Sequence, residues 1–112
     1  MLDTDMASFV IRGRSATLDA RLRENDPSAL SVSSVTRAEL RYGVARRPDA
    51  RSIAAQVQLF LEGIVSEPWD DAAADRYGML RAQLEKAGTP IGNLDTMIAA
   101  HALATGAMVT NN

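Results

Sequence analysis

Apolar positions along this chain fall into short runs and longer stretches of helical period, separated by Gly, Pro and Asn-Asp breakers. Met1 to Asp3 reads as the end of a strand, after which Thr4 or Asp5 caps a helix that runs to Arg12 and stops at Gly13. Ser15 to Glu24 predicts a second helix, with Leu18 and Leu22 one turn apart, ended by Asn25-Asp26-Pro27. Ala29 to Ser33 is a short apolar segment between turn formers and predicts a buried strand. Thr36 opens a third helix that ends between Gly43 and Arg47. A fourth spans about Arg51 to Gly63, with Ile53, Val57, Phe60 and Leu61 on one face. Ile64 to Glu67 predicts another strand, closed by Pro68. The longest helix, Asp70 to Lys86, stops at Gly88-Thr89-Pro90. Asn93 then caps a helix through Ala104, Gly106 follows as a C-terminal glycine, and Ala107 to Thr110 predicts a strand.

Strand segments alternating with helices imply a parallel sheet covered by helices on both faces, the α/β class with three layers. No repeat or low-complexity tract divides the sequence, so residues 1–112 read as a single domain. The given chain ends at Asn112, directly after a strand, where a three-layer domain is expected to continue into a further C-terminal part.

Composition narrows the chemistry. The chain has no cysteine, which removes disulfides, thiolate metal sites and cysteine nucleophiles, and one histidine, His101, which makes a zinc site uncommon. No apolar run approaches the ~20 residues of a membrane span. The acidic start Met1-Leu2-Asp3-Thr4-Asp5 is unlike a signal peptide, so a cytoplasmic protein is expected. A net charge of −2 counts against nucleic-acid binding, which must then rest on a local patch and metal ions.

In parallel sheets ligands bind beyond the carboxyl ends of the strands. Asp3 ends the first predicted strand, Glu39 lies inside the helix after the second, Asp95 lies in the first turn of the helix before the last, and Asn112 follows that last strand. Carboxylates gathered there repel unless protonated or neutralised by a cation, and hard oxygen ligands select Mg²⁺ or Mn²⁺. Such ions support phosphodiester hydrolysis without histidine or cysteine. Each residue also has a plainer explanation. Thr36-Arg37-Ala38-Glu39 fits the capping box, Asp95 suits a helix dipole, Asp5 is a plain N-cap, and Asp70 and Asp71 begin the long helix. His101 reads as a surface or satisfied core histidine. Arg37 and Arg41, one turn apart around Glu39, form a solvated face or a basic stripe for RNA phosphates. Asn111 and Asn112 stay open between turn formers and polar site groups.

Four segments carry a resemblance to PIN-domain nucleases, specifically the VapC toxins of bacterial toxin–antitoxin pairs. Leu2-Asp3-Thr4-Asp5 resembles their first acidic motif. The run Ser33 to Gly43 (Ser-Ser-Val-Thr-Arg-Ala-Glu-Leu-Arg-Tyr-Gly) resembles the second, the run Gly88 to Ala102 (Gly-Thr-Pro-Ile-Gly-Asn-Leu-Asp-Thr-Met-Ile-Ala-Ala-His-Ala) matches most closely, and Val109-Thr110-Asn111-Asn112 resembles the last. The resemblance implies a PIN-like α/β/α domain and a Mg²⁺- or Mn²⁺-dependent endoribonuclease. Asp3, Glu39 and Asp95 would be its metal-binding carboxylates, and Asn112 would hold water or substrate near Thr110. It also implies a homodimer and a cognate VapB-like antitoxin whose C-terminal segment fills a groove near the site. Two other readings remain: a catalytically impaired module that binds the antitoxin without cleaving RNA, and a phospho-acceptor receiver domain. The receiver domain needs a lysine near the last strand, and none lies beyond Lys86.

Overall fold

The structure, a computed structural model, describes residues 1–13, 30–107 and 109. Helix α1 (Thr4–Arg12) follows a single strand residue, Leu2, and ends at Gly13, whose φ of 60° places it in the left-handed region that glycine enters without strain. Strand β1 (Ser31–Ser33) runs without a loop into α2 (Ser34–Ala45), and α3 (Arg51–Gly63) returns the chain to β2 (Val65–Glu67). Helices α4 (Asp71–Lys86) and α5 (Asn93–Thr105) complete the described part and pack on each other. The predicted helix Ser15–Glu24 lies outside the described residues, as does most of the predicted last strand. Ala107 and Val109 of that segment pack against apolar core.

β1 pairs in parallel with β2 on one side, Ser31 to Val65 through Ser33 to Glu67, and with Leu2 on the other. The Leu2 N–H donates to the Ser31 carbonyl at 2.8 Å. Successive strand residues face opposite sides, and the core divides accordingly. Leu2 and Val32 join Met6, Ala7, Leu40, Val57 and Leu61 on one face. Met1 joins Val35, Ile98 and Ala102 on the other, with Trp69 packed against them. The sheet therefore lies between α1 and α3 on one side and α5 on the other, as the α/β expectation requires.

Three helix starts differ from the expectation, each for a local reason. Asp3, rather than Thr4 or Asp5, caps α1, because it keeps the extended backbone of the strand (ψ 174°) and its Oδ1 accepts from the Met6 N–H at 2.8 Å. Helix α2 begins at Ser34 instead of Thr36, capped by Ser33, whose Oγ accepts from the Val35 N–H at 3.1 Å. Glu39 thus lies in the second turn, out of reach of any capping box. Gly92, not Asn93, is the N-cap of α5, with no side-chain capping bond. On α3, Val57 and Leu61 are buried as expected, whereas Ile53 is 45% exposed because it borders an open groove.

Candidate active site

Three segments bring acidic side chains to one rim. Asp3 stands at the carboxyl end of the Leu2 strand, half-buried, and is fixed by its own cap bond. Glu39 projects from α2 toward α1, where the Thr4 hydroxyl donates to its Oε1 at 2.6 Å. The Thr36 hydroxyl lies 3.3 Å from that of Thr4 and continues the chain of polar contacts. A 2.6 Å bond from hydroxyl to carboxylate is short and charge-assisted, so it orients Glu39 across the junction of two helices. Asp95, exposed in the first turn of α5, caps nothing itself.

Two open depressions of about 410 and 330 Å³ meet at this rim. The first is bordered by Thr4, Asp5, Glu39 and Asp95, the second by Asp3, Asp5, Asp95 and Ile98. Asp95 and Asp5 belong to both. Burial pushes the Asp3 carboxyl above the usual carboxylate range, its hydrogen bond from Met6 opposes this, and the charges of Asp5 and Asp95 raise it further.

Among the described residues no three acid side chains converge tightly enough to enclose an ion by themselves. Mg²⁺ does not require that, since it commonly takes one or two carboxylates and completes its shell with water and substrate phosphate. Hard oxygen donors, an open depression and a carboxyl raised by burial and then by like charge fit such an ion. Asp3 and Asp95 border one depression, Asp95 and Glu39 the other, and Asn112 and Thr110 lie outside the described residues.

Asp5 is the acid that sequence reasoning set aside as a plain cap. The available signal was its spacing two residues after Asp3, which puts both carboxylates in one helix start. Asp5→Asn is expected to lower the titration midpoint of Asp3, read by NMR of its carboxyl carbon. An unchanged midpoint would show that Asp5 does not act on the site.

The expected basic stripe is placed differently. Arg37 and Arg41 border neither acidic depression, and Arg41 is fully on the surface. Arg12, Arg46 and Arg47 instead line a groove of about 360 Å³ between α1, α2 and α3, with apolar walls that include Ile11, Leu40 and Val44. Thr4 and Glu39 border that groove too, so it opens directly onto the acidic rim.

His101 proves to be a core histidine, 1% exposed. Its Nδ1 lies 2.8 Å from Ser33 Oγ, and its ring also bonds the Pro68 backbone carbonyl. A carbonyl only accepts, so a ring N–H faces Pro68, and the direction of the Ser33 bond follows the tautomer of the ring. Burial pushes the imidazole below its usual pKa, against the opposing influence of Asp70, Glu67 and the Pro68 bond. Asp70 itself caps α4, accepting from the Ala73 N–H at 3.1 Å, and Asp71 follows in the first turn, as expected.

The profile of the PIN-domain family matches residues 1–112. A relative from Shigella flexneri named tRNA(fMet)-specific endonuclease VapC is 35% identical over all of this chain and 84% of its own length. Ribonuclease VapC2 of Haemophilus influenzae is 33% identical, again over all of this chain and 84% of its own. The solved structure of VapBC2 from Rickettsia felis, bound to a DNA fragment of its promoter, superposes with a TM-score of 0.89 at 31% identity. That match covers all of this chain and 86% of the other.

Proposed function

This chain belongs to the PIN-domain family, in its VapC branch, and from that premise we propose that it is the ribonuclease toxin of a toxin–antitoxin pair, hydrolysing RNA phosphodiester bonds with Mg²⁺ or Mn²⁺. The observation that carries the reading is the acidic rim, where Asp3, Glu39 and Asp95 come from three different elements to two adjoining depressions. Helix capping alone does not account for it. Glu39 is outside any capping position, and Asp95 sits beside a helix start that no side chain caps.

In this reading Asp3 and Asp95, with Glu39 across the second depression, hold the metal ion, and Asn112 contributes a neutral oxygen. When bound, the ion offsets the clustered charge, acidifies a water and stabilises charge on the phosphate. The protein's own groups do the positioning. The Thr4 hydroxyl engages Oε1 of Glu39, which leaves Oε2 as the atom to accept a proton from an incoming water. Arg12, Arg46 and Arg47 supply the local positive charge that the net charge of −2 lacks, and would hold RNA phosphates leading to the rim.

A VapB-like antitoxin is the expected protein partner, since solved structural relatives from Rickettsia felis and Salmonella typhimurium are VapBC complexes. The groove that opens on Glu39 is where its C-terminal segment would lie. The homodimer that the resemblance implies belongs to the same proposal. Among the described residues no helix is long and apolar enough to cross a membrane, which accords with action on RNA in the cytoplasm.

The deciding experiment is cleavage of RNA by the purified chain. The initiator tRNA is the first substrate to try, because tRNA(fMet) appears in the names of two relatives. Cleavage is expected with Mg²⁺ or Mn²⁺, is expected to stop with EDTA, and should return with excess Mn²⁺. Cleavage that persists in EDTA would remove the metal from the proposal. Antitoxin binding with no cleavage under any metal would leave a binding module.

A further inference from the structure

Helix α5 carries Asp95 but offers little relief with which to lock its position. Its buried residues are Thr96, Ile98, Ala100, His101 and Ala102, so Ile98 is the one large apolar side chain among them and two of the others are alanines. Apolar burial is non-directional, and a smooth alanine surface can slide where ridges would interdigitate. The side-chain hydrogen bonds that join this helix to other segments converge on one place, the junction of β1, α2 and the segment after β2.

Ser33 is the last residue of β1 and the cap of α2, fully buried. Its hydroxyl oxygen accepts from the Val35 N–H, and it is hydrogen-bonded to Nδ1 of His101 at 2.8 Å. The Pro68 backbone also hydrogen-bonds this ring. Trp69 reinforces the same junction: its N–H donates to Ser34 Oγ at 2.9 Å, and its indole Nε1–H donates to the Met97 carbonyl of α5 at 3.0 Å. The clamp therefore ties α5 both to the start of α2 and to the Pro68-Trp69 turn.

We infer that His101 is a positioning residue, which by bonding Ser33 at the start of α2 sets the spacing between Asp95 on α5 and Glu39 on α2. The inference rests on the proposed role of those two carboxylates. The lever arms are short and stiff. His101 lies six residues after Asp95, and Ser33 six before Glu39. At 1.5 Å per residue each acid is about 9 Å along its helix from the clamp. A slip at the clamp is thus carried to the rim almost undiminished, and ligand sets tolerate displacements of only about 0.5 Å.

The test uses the full chain and compares His101→Leu, Ser33→Ala and His101→Asn. The asparagine keeps a hydrogen-bonding group at the position of Nδ1, so it retains the Ser33 bond. Two readouts are needed, each on protein shown folded by circular dichroism. The first is Mn²⁺ affinity by titration, expected to weaken about tenfold for His101→Leu and Ser33→Ala and to return to within about threefold of wild type for His101→Asn. The second needs no metal. Because the chain has no cysteine, spin labels at Arg41→Cys and Leu103→Cys, both exposed, report the α2–α5 distance cleanly. That distance is expected to shift or broaden with His101→Leu and to recover with His101→Asn. An unchanged distance in a folded His101→Leu variant overturns the inference, as does an asparagine variant no better than leucine. A distance shift without Mn²⁺ binding by the wild-type chain would refute the metal reading while upholding the clamp.

Discussion

Asp95→Asn is expected to reduce RNA cleavage by on the order of 10²–10⁴-fold and to abolish growth arrest on expression, with the fold intact. The size follows from where the residue stands. Asp95 borders both depressions of the acidic rim and is one of the charges that raise the Asp3 carboxyl. Removing it takes away a proposed metal ligand and one of the charges that act on Asp3 together. The fold has little reason to respond. Asp95 is exposed and lies outside the apolar core, and the N-cap of α5 is Gly92 without a side-chain bond. Losing an acid from a first turn costs about 0.3–1 kcal/mol of dipole interaction, and relief of repulsion with Asp3 opposes that cost. Initial rates at saturating Mn²⁺, with thermal melts as control, decide the matter. Undiminished cleavage by a folded Asp95→Asn protein would refute the assignment of the site.

Much of this arrangement was legible in the sequence because helices and breakers leave local signals. The α3 segment, Arg51–Gly63, and the stop after Lys86 follow from periodicity and from Gly88 and Pro90. The placement of Asp3, Glu39 and Asp95 near one another followed from the rule for parallel sheets together with motif resemblance. Less legible were features decided by tertiary contact. The Thr36-to-Glu39 pattern mimics a capping box, yet Ser33 wins the cap because β1 delivers it in extended conformation directly before the helix. Glu39 is then free to meet Thr4, thirty-five residues away in sequence, a pairing no local pattern encodes. His101 likewise gave no sign of Ser33, its partner sixty-eight residues earlier. The groove was missed because Arg12 ends α1 whereas Arg46 and Arg47 follow α2, and they meet only once α1, α2 and α3 pack.

At Asp3 the observed capping and the ligation proposed for the same carboxylate can be separated by choice of substitution. Asp3→Asn keeps the cap, since Asn and Asp serve about equally well at this position and the amide oxygen can still accept from the Met6 N–H. Asp3→Ala loses the cap at about 1 kcal/mol, or roughly 4 °C in melting temperature for a domain of this size. Charge adds a second, pH-dependent difference. The folded-state pKa of Asp3 lies above its ordinary value, so the folded chain holds that proton more tightly than the unfolded one. Its contribution to stability is therefore fully present below the unfolded pKa and is lost as pH rises through the folded one. At neutral pH without metal the ionised group is a net cost, which Asp3→Asn removes. The Asn variant is accordingly expected to melt at or above the wild-type temperature at pH 7, with the advantage disappearing as pH falls through the carboxylate range. Mn²⁺ is expected to reverse the order, because an ion bound to the folded state stabilises the wild-type chain and leaves the variant unmoved. Melts of the three proteins at pH 7 and near pH 3, each with and without Mn²⁺, contain the whole argument. Equal stabilisation of wild type and Asp3→Asn by Mn²⁺ would mean that the ion binds elsewhere. A drop for Asp3→Asn as large as that for Asp3→Ala would mean that the carboxylate is purely structural.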